Sequence, residues 1–500
     1  MVPCRTLQPQ RGAFKVIAKR FRGVGVGPDM LLGVILQGLN AATAFGLMLV
    51  LVRTLPKEEF GLYSLALAPL GIATGIADFG LVATLMPRMA VARHTPNPAF
   101  RTGLLLRGLL ILLAWLGMNL YLITVAEPRF LLLVNLGYLA IFFSSKLTGL
   151  RQIFEVVWRL KGRGYMVSLF ALLDGVLILA LVMLLRWQGM LTPERVMVCI
   201  AVASVPGFLA IMLPVVVRLR GRGLWVKSPK RYSMAVVRAS LPIALFGAVA
   251  QMQGQIETLV VGHFGGLQQI AAISVPIRVL QGTLFIAIIA SITLAPVVAQ
   301  VYKRQRVDIS LAQVGSVGVR VIGAVGVGIS LFCVALAPQI MLIFGAEYAA
   351  DTQLLRLYSF ANMLTFLVVT LDQLLMAMGR RPQVLYGVLF GLAVSIIFEV
   401  GAVVIFGTLE SVVIAKIFSV AMLVILQTFF LPNAMRGAVR SALLRVWGVA
   451  AAVAVAAWVL PQGQVWWRIA LLAVAVPLVA AVVRLVTARD VQLLRTVRAS

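Results

Sequence analysis

Charged residues are scarce in this chain, and acidic residues are the scarcest of them. Only 12% of the 500 residues are charged, with 16 Asp or Glu against 44 Lys or Arg. A soluble globular domain has about 25% charged residues. Because 61% of the residues are hydrophobic, the composition excludes both a soluble globular enzyme and a chain that is disordered throughout.

The side chains that build most metal centres and catalytic sites are also few. The chain has 2 histidines and 3 cysteines, and Cys4, Cys199 and Cys333 are far apart. This spacing predicts neither a disulfide framework nor a zinc site. No Gly-Lys pair occurs, so the sequence contains no P-loop. We therefore expect no enzyme and no cofactor, with energy supplied by an ion gradient, a substrate gradient or another subunit.

Long apolar runs occupy most of the sequence. They predict an all-α polytopic membrane protein with about fourteen transmembrane helices, since about 20 apolar residues span a bilayer. The predicted spans are 31–52, 61–86, 104–125, 130–149, 165–186, 194–217, 240–262, 269–300, 313–337, 351–378, 384–407, 411–434, 446–460 and 467–486.

The cations predict the orientation of these spans. The formal net charge is +28, and the basic residues fall in alternate gaps, as loops retained on the cytoplasmic side do. The first two such gaps contain Arg88, Arg93, Arg101 and Arg107, then Arg151, Arg159, Lys161 and Arg163. We expect a multi-pass protein of a bacterial inner membrane with both termini cytoplasmic. Because the cations lie in short gaps between apolar runs, we expect no nucleic-acid partner.

The sequence also contains two related halves. The segment 59–64 (EFGLYS) opens the second span and 269–274 (QIAAIS) opens the eighth, while Leu213-Pro214 and Leu431-Pro432 end the sixth and twelfth. Six spans in each half give both halves the same orientation. We expect two parallel-related six-helix lobes plus two C-terminal helices. The predicted parts are a basic cytoplasmic segment 1–30, an N-lobe 31–217, a basic cytoplasmic linker 218–238, a C-lobe 239–436, helices 13 and 14 at 437–486, and a cytoplasmic tail 487–500.

Several segments resemble a known family. They are 55–63 (LPKEEFGLY), 77–81 (ADFGL), 255–258 (QIET), 344–348 (FGAEY) and 376–380 (MAMGR). With these segments the chain resembles the bacterial polysaccharide (O-antigen type) flippase family of the multidrug/oligosaccharidyl-lipid/polysaccharide exporter superfamily. The family usually has Asp where Glu257 stands, so the charge is retained.

The resemblance implies a flippase that moves a polyprenyl-pyrophosphate-linked oligosaccharide across the membrane by alternating access. The implied partners are this lipid-linked substrate, membrane lipids and other membrane proteins of polysaccharide assembly. A multidrug/cation antiporter and a lipid II flippase of the same superfamily are the alternatives. A membrane glycosyltransferase or polymerase would need a long extracytoplasmic loop, which the predicted spans do not leave.

Charges inside the spans are the candidate site residues. A charged residue at a helix centre costs about 2.5–3.5 kcal/mol on insertion, so it normally faces a bundle interior or a cavity. We predict that Arg278, Arg356 and Lys416 bind the anionic head of the substrate. The alternatives are internal ion pairs, for example between Glu257 and Arg278, and snorkelling to the interface.

The acidic residues within spans are candidates for H⁺ or Na⁺ coupling. They are Glu155, Asp372, Asp78, Glu257 and Glu399. Glu155 and Asp372 occupy matching positions in the two halves, and their alternative role is pairing with adjacent arginines. Asp78 is expected in a helix broken by Pro69, Gly71 and Gly75, where it could instead cap or pair structurally. Asp174 faces either a lobe core or a cavity.

Overall fold

The chain consists of helices joined by short turns. A computed structural model describes residues 26–91, 98–125, 127–147, 149–220, 230–303 and 310–459. The α-helices are α1 Val26–Thr54, α2 Lys57–Asp78, α3 Leu81–Val91, α4 Pro98–Val125, α5 Pro128–Phe143, α6 Arg151–Leu160, α7 Gly164–Trp187, α8 Pro193–Arg220, α9 Lys230–Phe264, α10 Leu267–Tyr302, α11 Leu311–Ala335, α12 Ala337–Phe344, α13 Thr352–Ala377, α14 Arg381–Phe406, α15 Leu409–Phe430 and α16 Asn433–Val459. A 3₁₀ helix, Ala346–Asp351, precedes α13.

The protein is an all-α polytopic membrane protein, as predicted. Among the described residues, 11 helical segments are long and apolar enough to cross a membrane, and α5 is a shorter apolar helix. Several of these helices begin with proline, namely α4, α5 and α8. Proline suits this first helical position because its missing N–H would have no helical partner there. The count of about fourteen spans stays a prediction, because the last predicted span, 467–486, lies outside the described residues.

The chain divides into two compact units. Unit 1 contains Pro69–Ala248 with the described residues up to Thr54, and unit 2 contains Leu55–Ala68 with the described residues from Val249 onward. Of the three internal boundaries, one follows the end of α1 at Thr54, and the other two fall inside helices, at Pro69 in α2 and at Ala248 in α9. The predicted lobes 31–217 and 239–436 stay a prediction. Residues 55–68, which include the first half of α2, belong to the second unit although they precede Pro69 in the chain.

Unit 1 is built around α7 and α8. Helix α1 packs on α7, and α8 packs on both α5 and α7. A buried cluster brings together side chains from α4, α6 and α8, with Phe154 in edge-to-face contact with Phe100 and Phe208. Such aromatic pairs add to the stabilisation from buried area.

Unit 2 is built around α13, which packs on α10, α11 and α15. Phe366 of α13 is completely buried against Ala287 of α10 and Ile322 of α11. A Cβ atom at Gly326 would lie 2.8 Å from Phe366. Glycine therefore lets α11 and α13 approach closely, as small residues do between membrane helices. Helix α16 packs on α11, and α14 packs on α15.

Two predicted spans differ from the structure. The sequence predicts a break of the span 61–86 at Pro69, Gly71 and Gly75, which is wrong: α2 continues through all three and ends at Asp78. The break follows at Phe79 and Gly80, which have φ of 46° and 60°. The fourth span ends at Phe143, and Glu155 lies beyond it on the separate helix α6.

The predicted basic segments lie partly outside the described residues. The N-terminal segment lies outside up to residue 25, and so does the tail 487–500. The linker predicted at 218–238 includes the end of α8, the undescribed residues 221–229 and the first turns of α9.

Candidate functional site

A cluster of buried charges lies inside unit 2. Glu257 of α9 and Glu399 of α14 are 5% and 0% exposed. The Nζ of Lys416, on α15, is 3.5 Å from Oε1 of Glu399. The hydroxyl of Tyr358, on α13, donates a hydrogen bond to Oε1 of Glu257. Four different helices thus bring two carboxylates, one ammonium group and one phenol into one region of the apolar interior.

The charges of this cluster do not balance. Glu257 interacts electrostatically with both Lys416 and Glu399. Two carboxylates and a single ammonium group carry a net charge of −1 when all are ionised. An isolated charge in a low-dielectric interior is strongly unfavourable unless it is paired or neutralised. The arrangement can therefore take up one proton or one monovalent cation.

Arg278 lies in an aromatic environment formed by the start of α2. Its guanidinium carbon is 5.9 Å from the ring centroid of Phe60 and 5.8 Å from that of Tyr63. Both distances are within the range of cation–π attraction. Residues 55–68 belong to unit 2, so α10 and this part of α2 form the site within one unit. The suggested ion pair of Arg278 with Glu257 is not seen; Glu257 is bonded to Tyr358 and interacts with Lys416 and Glu399 instead.

The three cations predicted to bind substrate differ in their partners. Lys416 faces the carboxylate of Glu399. Arg356, half-buried in the second turn of α13, makes no ion pair or hydrogen bond with any described residue. Arg278 contacts aromatic rings but no carboxylate among the described residues. Arg278 and Arg356 are thus the predicted cations whose charge no acidic side chain of the described residues matches.

Asp372, on α13, has a single polar partner among the described residues. Its Oδ1 accepts a hydrogen bond of 2.6 Å from Nε2 of the completely buried Gln427. The arginine pairing considered from the sequence is therefore replaced by an amide from α15. A role for Asp372 in ion coupling stays a prediction.

In unit 1, Asp78 is bonded to a buried arginine. Nη1 of Arg107, on α4, donates to the carboxylate of Asp78 at 2.7 Å and to its backbone carbonyl at 3.1 Å. Nη2 of Arg107 donates to Oε1 of Gln152 at 2.9 Å. Arg107 has no solvent exposure. The sequence counted it among the loop cations, which is wrong, because α4 begins at Pro98 and places Arg107 inside the helix bundle.

Glu155 belongs to a second buried network in unit 1. Its two carboxylate oxygens accept hydrogen bonds of 3.2 Å from Arg151 and from Arg159. Arg151 also donates to the carboxylate of Asp174 on α7. Asp174 is completely buried and Arg151 is 1% exposed. Glu155 therefore has the adjacent-arginine pairs that were considered from the sequence, and Asp174 faces the interior of unit 1.

Sequence reasoning missed Tyr358 and the two buried arginines. Nothing in the local pattern of α13 distinguishes Tyr358 from a core aromatic residue. For Arg151 a signal was present, because the residues of α6 alternate with helical period between apolar and charged positions. That period predicts an amphipathic helix rather than the end of a membrane span.

Solved structures of membrane transporters share this fold. The lipid II flippase MurJ in an inward closed conformation aligns with a TM-score of 0.67 at 11% identity, covering 92% of this chain and 99% of that one. An inward-facing multidrug resistance transporter of the MATE family and the MOP superfamily aligns with a TM-score of 0.56 at 14% identity, covering 80% and 97%. A MOP superfamily transporter from Pyrococcus furiosus, described for the reverse polarity of its binding pocket, aligns with a TM-score of 0.52 at 16% identity, covering 80% and 92%.

The sequence also matches a protein family, which is a narrower group than the proteins that share the fold. The family model described as polysaccharide biosynthesis protein matches residues 28–302, more than half of the chain. Among curated proteins no sequence matches. The protein belongs to the family of polysaccharide biosynthesis proteins, and the resemblance identified from its sequence is confirmed.

Proposed function

We propose that this protein moves a polyprenyl-pyrophosphate-linked oligosaccharide from the cytoplasmic to the outer leaflet of a bacterial inner membrane. Membership in the polysaccharide biosynthesis family supports a glycan substrate. The fold, shared with flippases and multidrug transporters, supports transport by alternating access. The alternating loop charges support cytoplasmic termini.

The pairing pattern of the intramembrane cations carries the proposal. Arg107, Arg151 and Lys416 each face a carboxylate. Arg278 and Arg356 do not, among the described residues. Because an uncompensated cation is costly at membrane depth, these two arginines are suited to an anion that enters from outside the protein. A pyrophosphate provides that anion, and a guanidinium group binds phosphate oxygens in a bidentate manner.

The unit 2 cluster supports coupling to an ion. Glu257, Glu399 and Lys416 together leave one negative charge for H⁺ or Na⁺. Lys416, initially predicted to bind substrate, fits this cluster better, because Glu399 already matches its charge. Asp78, Glu155 and Asp372 remain the other candidates for ion coupling, but each is already bonded to Arg or Gln.

A lipid II flippase and a multidrug/cation antiporter are the alternatives, and both classes occur among the structures that share this fold. Two arginines without acidic partners would repel a cationic drug, so they favour an anionic substrate. Lipid II differs from the proposed substrate only in its head group. Identification of the accumulated lipid therefore separates these two functions.

The test is a deletion strain of the native host complemented with variants. We expect the deletion to accumulate lipid-linked oligosaccharide on the inner leaflet, measured by extraction and mass spectrometry. Wild type and Arg440→Ala, which alters an exposed cation of unit 2, should clear it. Arg278→Ala with Arg356→Ala should not. Accumulation of lipid II, or full clearance by the double variant, would contradict the proposal.

A further inference from the structure

A polar cavity of about 200 Å³, open on one side, lies in unit 1 and is formed by residues other than those of the cluster in unit 2. Its walls are Asp78, Val82, Gln152, Glu155 and Arg159. The first two residues flank the break between α2 and α3. The other three lie three and four residues apart on α6, which places them on one face of that helix. One water needs only about 10–15 Å³ of such space, so the cavity can hold a larger molecule.

The wall formed by Asp78 and Val82 is held in place. Phe79 has φ of 46°, a conformation that residues other than glycine rarely adopt. Strained backbone of this kind persists where the surroundings fix it. Here Arg107 binds both the carbonyl and the carboxylate of Asp78. A Cβ at Gly80 would lie only 2.6 Å from Cβ of Ile243, so glycine also permits the close packing.

The cavity offers hydrogen-bond donors and acceptors side by side. The carboxylate of Asp78 is bonded to Arg107 through Oδ1 but is 42% exposed, so it retains acceptor capacity. Gln152 uses its oxygen for Arg107, and its NH₂ group has no partner among the described residues. Arg159 is 47% exposed and gives one N–H to Glu155. A hydroxyl group both donates and accepts and therefore suits this mixed lining.

The charged side chains that line the cavity are already paired. Asp78 is bonded to Arg107, and Glu155 to Arg151 and Arg159. Behind them, Asp174 interacts with both Arg151 and Lys146. The lining therefore offers no unpaired charge to a bare phosphate or a metal ion. A neutral molecule with several hydroxyl groups meets matched donors and acceptors, with Val82 as an apolar surface for its C–H groups.

The position of the cavity along α2 places it at one face of the membrane. From Lys57 to Asp78 the helix rises about 32 Å at ~1.5 Å per residue. The hydrocarbon core is about 30 Å thick. Because the gap before Lys57 is predicted to be extracytoplasmic, the cavity lies near the cytoplasmic face, where a lipid-linked glycan would enter.

We propose that this cavity binds one sugar ring of the oligosaccharide head, an inference that rests on the proposed function. Its size accommodates a single ring rather than an oligosaccharide. The cavity thus binds part of the glycan, a role distinct from the one proposed for Arg278 and Arg356 in unit 2. The two sites therefore contribute separately to substrate recognition.

The experiment compares two lipids that differ only in the glycan. The full-length protein in nanodiscs is titrated with lipid-linked oligosaccharide extracted from the deletion strain and with bare undecaprenyl pyrophosphate. We expect wild type to prefer the glycosylated lipid by about tenfold, as two or three hydrogen bonds imply. Val82→Phe, which fills the cavity, should reduce this ratio to about one while binding of the bare lipid is unchanged. Val202→Phe, at a position of unit 1 that is 57% exposed, is the matched control.

A second variant covers the case in which Val82→Phe fails to fold, which loss of bare-lipid binding would reveal. Arg159→Met removes an exposed lining donor and should lower the preference at least threefold. Equal affinity of wild type for both lipids, or an unchanged preference in the cavity variants, would overturn the inference. Accumulation in the deletion strain tests the proposed function independently, so the two failures can be told apart.

Discussion

Lys57, in the first turn of α2, and Asp351, at the end of the 3₁₀ helix, form an ion pair of 2.7 Å although 294 residues separate them. The Nζ of Lys57 also lies 5.1 Å from the ring centroid of Tyr348. The neighbouring Glu58 accepts a hydrogen bond of 2.9 Å from Gln268. The beginning of α2 is thus attached to unit 2 by polar contacts, in addition to the rings beneath Arg278.

Reversal of the charge on Lys57 should loosen this attachment. Lys57→Asp places two carboxylates together, and a partly buried ion pair contributes about 1 kcal/mol. We expect the amides of residues 55–68 to exchange roughly fivefold faster in hydrogen–deuterium exchange. The double variant Lys57→Asp with Asp351→Lys should restore slow exchange. Unchanged exchange in the single variant would show that the ion pair does not hold this segment.

The two arginines bonded to Glu155 should differ in their effect on stability. Arg151 is 1% exposed and also binds Asp174, whereas Arg159 is 47% exposed. Arg151→Met leaves two buried carboxylates without this partner and should cost about 3–5 kcal/mol. Arg159→Met should cost less than about 1 kcal/mol. Thermal unfolding of the purified protein in detergent measures both, and equal losses would contradict the described network.

Gly80 and Gly162 both have positive φ, of 60° and 75°, but different surroundings. A Cβ at Gly80 meets the side chain of Ile243, whereas a Cβ at Gly162 has open space. Alanine in a left-handed conformation costs about 1–2 kcal/mol, and we expect Gly162→Ala to show only this loss.

Gly80→Ala should be more destabilising than Gly162→Ala, because Ile243 must also move. Replacement of Ile243 by Ala in the Gly80→Ala background should recover part of the difference. Thermal unfolding of the three variants checks this prediction. A Gly80→Ala variant as stable as Gly162→Ala would show that the helix break is loosely packed.

Glu257→Gln should uncouple transport from the ion gradient. The amide can still accept the hydrogen bond from Tyr358, while Glu399 and Lys416 remain as a balanced pair. We expect flux in proteoliposomes to lose its response to an imposed proton or sodium gradient. Glu410→Gln, an exposed carboxylate of α15, is the matched control. Gradient-dependent flux in Glu257→Gln would exclude this cluster as the coupling site.

The fold class could be predicted from sequence because the apolar runs match the bilayer thickness. Two elements could not be predicted in this way, helix α6 and the break after α2, because the mean apolarity of their residues does not reveal them. Helix α6 has a strongly one-sided apolar face but little net apolarity, so the sequence places it in the gap between the fourth and fifth predicted spans. At the break, Arg107 binds Asp78 from 29 residues along the chain, and this contact cannot be seen in the local sequence of residues 69–80.

The candidate site was predicted only as a set of residues. The free-energy cost of a charge inside the membrane indicates that Glu257, Glu399 and Lys416 must each have a partner or face a cavity. They do not say which charges meet, because the partners lie on three different helices. Pairing depends on the rotation of each helix about its axis, and packing of unit 2 sets that rotation.

The assignment of residues 55–68 to unit 2 has a consequence for dividing the protein into fragments. A C-terminal fragment that starts in α9 would present Arg278 without Phe60 and Tyr63, and Asp351 without its lysine. The remaining N-terminal fragment would expose an apolar stretch of α2 that packs on helices of unit 2 in the intact protein. Split versions of this protein therefore need a second copy of residues 55–68 on the C-terminal fragment if both fragments are to assemble.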